Sequence, residues 1–270
     1  GAPDRKLGRI AKTLARTRAE GRLALVAFLT AGFPRPTATP RLVRALIDGG
    51  ADMVELGVPF SDPLADGATI ERASDEALHA GTTLAGCLNI AREIRSATRD
   101  TPLMLMGYYN PLLAFGVDRF VESAAAAGVD GLIVVDLPPE EGEELDDACR
   151  SVGLDNILLL APNSEEERIR RVAQRASGFI YCVSVTGVTG AREELPPGLR
   201  AFLARVRRHA DLPLAVGFGI SRPEHVRSLR GLADAAVVGS AIINLIEESP
   251  PDAVESRLQE YARALSQAAR

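Results

Sequence analysis

The chain has 270 residues, 46% hydrophobic and 25% charged, which is the balance of a folded, water-soluble protein. Its net charge of −5 includes no block of Lys or Arg, and no apolar run approaches the roughly 18 residues that cross a bilayer. Nucleic acid and membrane are therefore not expected as partners, and with no signal peptide opening the sequence the expected location is cytoplasmic.

Residue usage narrows the chemistry further. Cys87, Cys149 and Cys182 are odd in number and far apart, which argues against a disulfide framework and for a reducing compartment. Lys6 and Lys12 are the only lysines, so the body of the chain has no amine for a Schiff base or for pyridoxal phosphate. His79, His209 and His225 are scattered, none at metal-ligand spacing from another His or Cys, so no metal is expected. Catalysis is left to carboxylates, hydroxyls and backbone amides.

Taken in chain order, amphipathic segments alternate with short aliphatic runs. A helix is expected over 5–19, a strand over 23–30, a helix over 41–48 and strands over 53–57 and 103–107. A helix over 117–127, a strand over 131–135, a helix over 140–152 and a strand over 156–160 follow. The last part reads as helix 165–176, strand 179–183, helix 199–210, strand 214–217, helix 222–229, strand 235–239 and helix 252–269. Strands rich in Val, Ile and Leu suit a parallel sheet buried on both faces. Eight such units in this length predict a single-domain (β/α)8 TIM barrel over 1–270, with an extra N-terminal helix. The runner-up is an open doubly wound sheet, which would usually need a second domain or fewer units.

In a barrel, chemistry belongs to the loops at the C-terminal ends of the strands. The richest stretch is 55–67, Glu-Leu-Gly-Val-Pro-Phe-Ser-Asp-Pro-Leu-Ala-Asp-Gly. Alternation puts Met53 and Glu55 on one face of their strand, so an inward Glu55 is a buried carboxylate with a raised pKa, suited to acid/base work. A solvated or capping glutamate is the plain alternative, but a charge inside an apolar strand is costly without a role. Asp62 and Asp66 lie beyond it as turn formers or caps, or, for Asp66, as a second carboxylate across one pocket.

Glycine-rich turns follow the last three strands: 183–191 with Gly187 and Gly190, 217–221 with Gly219, and Gly239 with Ser240. Such turns can be merely tight, but together they favour a phosphate held on backbone amides. Tyr108, Tyr109 and Asn110 end the third strand, and Asp136 ends the fourth, where it either acts on substrate or binds loop amides. Tyr181, Phe28 and Phe218 are either core or the walls of an apolar slot.

Four stretches together resemble the tryptophan synthase alpha-subunit family: 28–34 (Phe-Leu-Thr-Ala-Gly-Phe-Pro), 55–67, 183–192 (Val-Ser-Val-Thr-Gly-Val-Thr-Gly-Ala-Arg) and 216–220 (Val-Gly-Phe-Gly-Ile). The likeness runs from about Arg5 to the last helix. It implies a lyase of tryptophan biosynthesis that cleaves indole-3-glycerol phosphate to indole and glyceraldehyde 3-phosphate by a retro-aldol reaction. In that family Glu55 matches the general acid/base and Asp66 the carboxylate that offsets charge at the indole nitrogen. Tyr181 matches a residue beside the substrate, and Phe28, Tyr108 and Phe218 match the indole slot. Gly190, Gly219, Gly239 and Ser240 match the phosphate cradle, and Thr189 is a further substrate-binding residue.

The resemblance also implies a beta-subunit partner in an alpha2beta2 assembly, met by the loops at 59–67 and 108–111. Pyridoxal phosphate would sit in that partner and no cofactor in this chain. One departure is Ala68, where most members carry proline. A free-standing indole-3-glycerol-phosphate lyase is the alternative that shares every catalytic residue, whereas a non-catalytic scaffold fits poorly with retention of Glu55 and Asp66.

Overall fold

The computed structural model describes residues 7–61, 67–184 and 195–270. Its parallel strands are β1 (Ala24–Thr30), β2 (Met53–Gly57), β3 (Leu103–Gly107), β4 (Gly131–Val134), β5 (Asp155–Asn156), β6 (Leu158–Leu160), β7 (Ile180–Val183), β8 (Leu214–Gly217) and β9 (Ala235–Val238). All seven residues of β1 are buried, as expected of a strand covered on both faces. The strands form one sheet in the order β5-β4-β3-β2-β1-β9-β8-β7-β6. Only Ile157 separates the two edge strands, and its N–H donates to Leu132 O at 2.9 Å, which brings the sheet round into a barrel. The expected fifth strand is thus two short ones.

The helices are α1 (Arg9–Ala19), α2 (Thr39–Gly49), α3 (Ala68–His79), α4 (Leu84–Ala97), α5 (Tyr109–Phe115), α6 (Val117–Ala126), α7 (Glu143–Val152), α8 (Glu166–Arg175), α9 (Leu199–Arg207), α10 (Pro223–Ser228), α11 (Ser240–Glu248) and α12 (Val254–Ala268). Four of them, α3, α4, α5 and α11, are not among the helices expected from the sequence. The helix expected over 140–152 is broken at Gly142, between a 3-10 turn (Pro139–Glu141) and α7. Tyr109 opens α5 rather than ending a strand.

Alternate strand residues divide the interior in two. Ala24, Val26, Met53, Met104, Ile133 and Phe179 point into the barrel, and Ile10 and Leu14 of α1 join them and plug its N-terminal end. Neighbours such as Leu25, Val54, Leu105 and Val216 face outward onto the helices. The extra N-terminal helix is therefore part of the core.

At that plugged end one device recurs at three strand pairs. Asp52, Asp130 and Asp234 each stand immediately before β2, β4 and β9. Each accepts a backbone N–H at the start of the neighbouring strand through its carboxylate, from Leu25 at 2.8 Å, Leu103 at 2.9 Å and Leu214 at 2.8 Å. An arginine completes every clamp: Arg22 is bidentate on Asp52 at 2.9 Å, Arg95 meets Asp130 at 2.7 Å and Arg207 meets Asp234 at 2.9 Å. Arg95 also donates to the carbonyls of Gly128, Thr98, Arg99 and Thr101. The desolvation of these side chains is offset because nearly every donor has a partner.

Two stability predictions follow from this geometry. Arg95→Met should lower unfolding free energy by about 2–4 kcal/mol in denaturant titration, because Asp130 and several carbonyls lose their donor. Ala68→Pro should raise it by about 0.4–1 kcal/mol. Ala68 is exposed, is the first residue of α3, and follows Gly67 at φ −78°, ψ 170°, a conformation suited to the residue before proline.

Candidate active site

Glu55 is the third residue of β2 and shares the inward face with Met53. It is 0% exposed, and neither carboxylate oxygen has a hydrogen-bond partner among the described residues. Burial alone pushes its pKa up to about 8. Such a carboxyl holds its proton at neutral pH yet can release it, which is what a group that both gives and takes a proton needs.

Aromatic rings stand around it. Phe28 is the register partner of Glu55 on β1. Its ring lies across the barrel mouth between Gly57 and Gly239: a Cβ on Gly57 would come within 2.6 Å of the ring, and one on Gly239 within 3.3 Å. Tyr181 projects inward from β7, and its hydroxyl is held well above its usual pKa, first by burial and then by the charge of Glu55. That hydroxyl stays protonated and remains a donor. Its ring fits because β8 offers only Gly217 there, where a Cβ would sit 2.7 Å from the hydroxyl. Gly57 and Gly217, which leave room for these rings, are not singled out by the sequence; a glycine ending a strand looks like an ordinary turn until the facing aromatic is placed.

Loops beyond the strands add further groups. Tyr108 is buried and stacks on Phe60 with centroids 5.0 Å apart. Asp136 accepts the Tyr109 N–H at 2.8 Å, tying the loops after β3 and β4 together, so it serves loop amides. A cavity of about 630 Å³ opens beside the strand ends at Val135, Leu159 and Val183, but it is lined chiefly by Glu140 and the segment from Ala161 to Arg171 and does not include Glu55.

After β8, Gly219 is exposed with φ +77°, flanked by buried Phe218 and Ile220. The Phe218 ring packs edge-on to His225 at 6.1 Å, and the His225 Nδ1 accepts the Ser221 N–H at 3.1 Å. Tyr261 of α12 donates to Ser221 O, so this loop is pinned from two sides. After β9, Gly239 caps α11 and its carbonyl accepts from Ile242 and Ile243. The N–H groups of Ser240 and Ala241 are left at the helix start, a geometry that favours an anion.

Glu55, Phe28, Tyr181 and Gly239 thus meet at the C-terminal mouth, with Tyr108 on its rim. Phe218 is buried beside His225, and no described contact brings it to Glu55. Asp62, Asp66, Gly187, Thr189 and Gly190 lie outside the described residues. The cysteines are buried, with thiols pushed up to about 12 by loss of solvation. Among the described residues no group of three or more His, Cys, Asp or Glu could hold a metal ion.

Known proteins match this chain over nearly its whole length. The family model described as "Tryptophan synthase alpha chain" matches residues 14–270. A tryptophan synthase alpha chain of Roseiflexus castenholzii is 54% identical over 259 residues, covering 96% of this chain and 99% of the relative. Another, from Geotalea uraniireducens, is 50% identical over 259 residues, covering 96% and 97%. The crystal structure of a tryptophan synthase alpha chain from Legionella pneumophila has a TM-score of 0.86 at 37% identity, covering 97% of each chain. A chain of Mycobacterium tuberculosis tryptophan synthase has a TM-score of 0.90 at 34% identity, covering 98% of this chain and 99% of that one. The fold is the TIM barrel of these structures, and the chain belongs to the tryptophan synthase alpha chain family.

Proposed function

We propose that this chain splits the carbon–carbon bond of indole-3-glycerol phosphate, releasing indole and glyceraldehyde 3-phosphate, with Glu55 moving the proton in both directions. The observation that carries the reading is a lone buried carboxyl, without a hydrogen-bond donor among the described residues and with a pKa of about 8, at the open end of the barrel. Protonated Glu55 gives its proton to indole C3, which moves positive charge onto the ring nitrogen. As a carboxylate it then takes the proton from the hydroxyl on the carbon bonded to C3. That carbon becomes the aldehyde, and the electrons of the broken bond return to the ring and restore indole.

Asp66, eleven residues past Glu55, is proposed to face the charged ring nitrogen. Phe28, Tyr108 and Phe218 are assigned to the indole, Tyr181 and Thr189 to further substrate contacts, and Gly190, Gly219, Gly239 and Ser240 to the phosphate. The amides at the start of α11, which have no partner among the described residues, and the left-handed Gly219 support the phosphate assignment.

A beta subunit is the partner of a tryptophan synthase alpha chain, and we place this chain in an alpha2beta2 assembly in the cytoplasm. No helix among the described residues is long and apolar enough to cross a membrane. Pyridoxal phosphate is assigned to the partner. In this chain Lys12 lies on α1, at the end of the barrel opposite Glu55, and the only other lysine is Lys6.

Glu55→Gln keeps size and shape but cannot exchange a proton. Indole release should fall by about 10²–10⁴-fold in kcat with little change in KM, and near-normal turnover would reject the assignment. The same variant tests the burial. The folded protein keeps the Glu55 proton up to about pH 8, whereas the unfolded chain loses it near 4.5, so this group's contribution to stability falls as pH rises through that window. Thermal unfolding from pH 5 to 8 should show a steeper decline for the wild type than for Glu55→Gln. Separately, Gly219→Val should raise KM for the substrate, because it adds bulk at the phosphate side and strains a φ of +77°.

A further inference from the structure

Thr30 ends β1 two residues beyond Phe28, and alternation from Ala24 and Val26 puts it on the same inward face. It is 1% exposed. Among the described residues its Oγ1 is a fully buried side-chain atom with no hydrogen-bond partner, and the same holds for both oxygens of Glu55 and for Thr82 Oγ1. Thr82 packs against Gly32 in the loop after β1. Thr30 is different, because it stands on the strand beside Glu55. A buried hydroxyl without a partner carries an uncompensated desolvation cost that a valine of the same shape would not.

The register gives that hydroxyl a use. Phe28 pairs with Glu55 and Thr30 with Gly57, so Thr30 is the diagonal neighbour of Glu55 toward the open end of the barrel. The two side chains share one face of adjacent parallel strands, two residues apart in register, close enough for a glutamate arm to reach the hydroxyl. The proposed reaction requires Glu55 to exist for part of each cycle as an anion, where it needs a donor. The inward neighbours Phe28 and Met104 have none to give. Tyr181 of β7 is the titratable group that faces Glu55 among the described residues; its protonated hydroxyl is one donor from across the barrel, and Thr30 is the donor from the adjacent strand, while no charged side chain contributes to the shift of Glu55.

We infer that Thr30 is a positioning residue for Glu55, its hydroxyl donating to the carboxylate between the two proton transfers and holding it toward the substrate. The inference rests on the proposed retro-aldol reaction. Its test is steady-state indole release from indole-3-glycerol phosphate by wild type, Thr30→Val and Thr30→Ser across pH, with thermal unfolding of each. Loss of a hydrogen bond to the ionised group should cut kcat about 10–100-fold in Thr30→Val with little change in KM. The donor favours the anion, so its removal should move the kcat profile to higher pH, and Thr30→Ser should restore both rate and profile. Thr30→Val should unfold at the same temperature or higher, which separates this role from a structural one. Should the added methyl disturb packing, Thr30→Ala gives the same comparison. Wild-type kcat and pH profile in Thr30→Val, or failure of Thr30→Ser to restore them, would overturn the inference. Absence of indole release by the wild type would instead overturn the reaction itself.

Discussion

One carboxyl group kept from water governs how the open end of this barrel is built. An ionised Glu55 in an apolar surround would cost several kcal/mol, so the folded chain favours its neutral form, and burial moves its pKa to about 8. That shift survives only while the mouth stays apolar and the walls do not relax to admit water. Phe28, Met104 and Tyr181 supply those walls, and Gly57 and Gly217 supply the space the rings need. A more polar mouth would return Glu55 to an ordinary carboxylate, fully ionised at neutral pH and a poor acid.

Rigidity comes from the other end. Helix α1 drives Ile10 and Leu14 into the barrel, and the Asp52, Asp130 and Asp234 clamps join strand starts to arginines from flanking segments. Stability is thereby concentrated where no chemistry occurs, and the loops beyond the C-terminal ends are free to be shaped by function. This division explains how a site can keep partnerless polar atoms, which are destabilising, without loss of the fold.

Periodicity made much of this legible before the structure. The strand boundaries agree to within a residue or so, because runs such as 103–107 and 214–217 are wholly apolar and end at glycine. Glu55 was legible because alternation with Met53 fixes which way it points. Helices α3, α4, α5 and α11 were harder to read: α3 and α4 follow stretches rich in Gly, Pro or Thr, and α5 and α11 begin a single residue after their strands, past Tyr108 and Gly239. The split at Ile157 and the break at Gly142 depend on barrel closure and on the Asp146–Asn156–Arg175 network, both tertiary. Thr30 reads as a good strand residue, and only the absence of a partner among the described residues sets it apart. The clamps left a trace that periodicity does not score: an aspartate immediately before β2, β4 and β9.

The ionisation of Glu55 can be read directly. The carboxyl signal of this residue, followed by isotope-edited infrared or carbon NMR as the difference between wild type and Glu55→Gln, reports its titration in the unliganded protein. A midpoint near pH 8 is the result the buried, donor-poor site predicts. A midpoint near 4.5 would mean that water or an unrecognised donor reaches the carboxylate, and would contradict the account of how this barrel makes an acid at neutral pH.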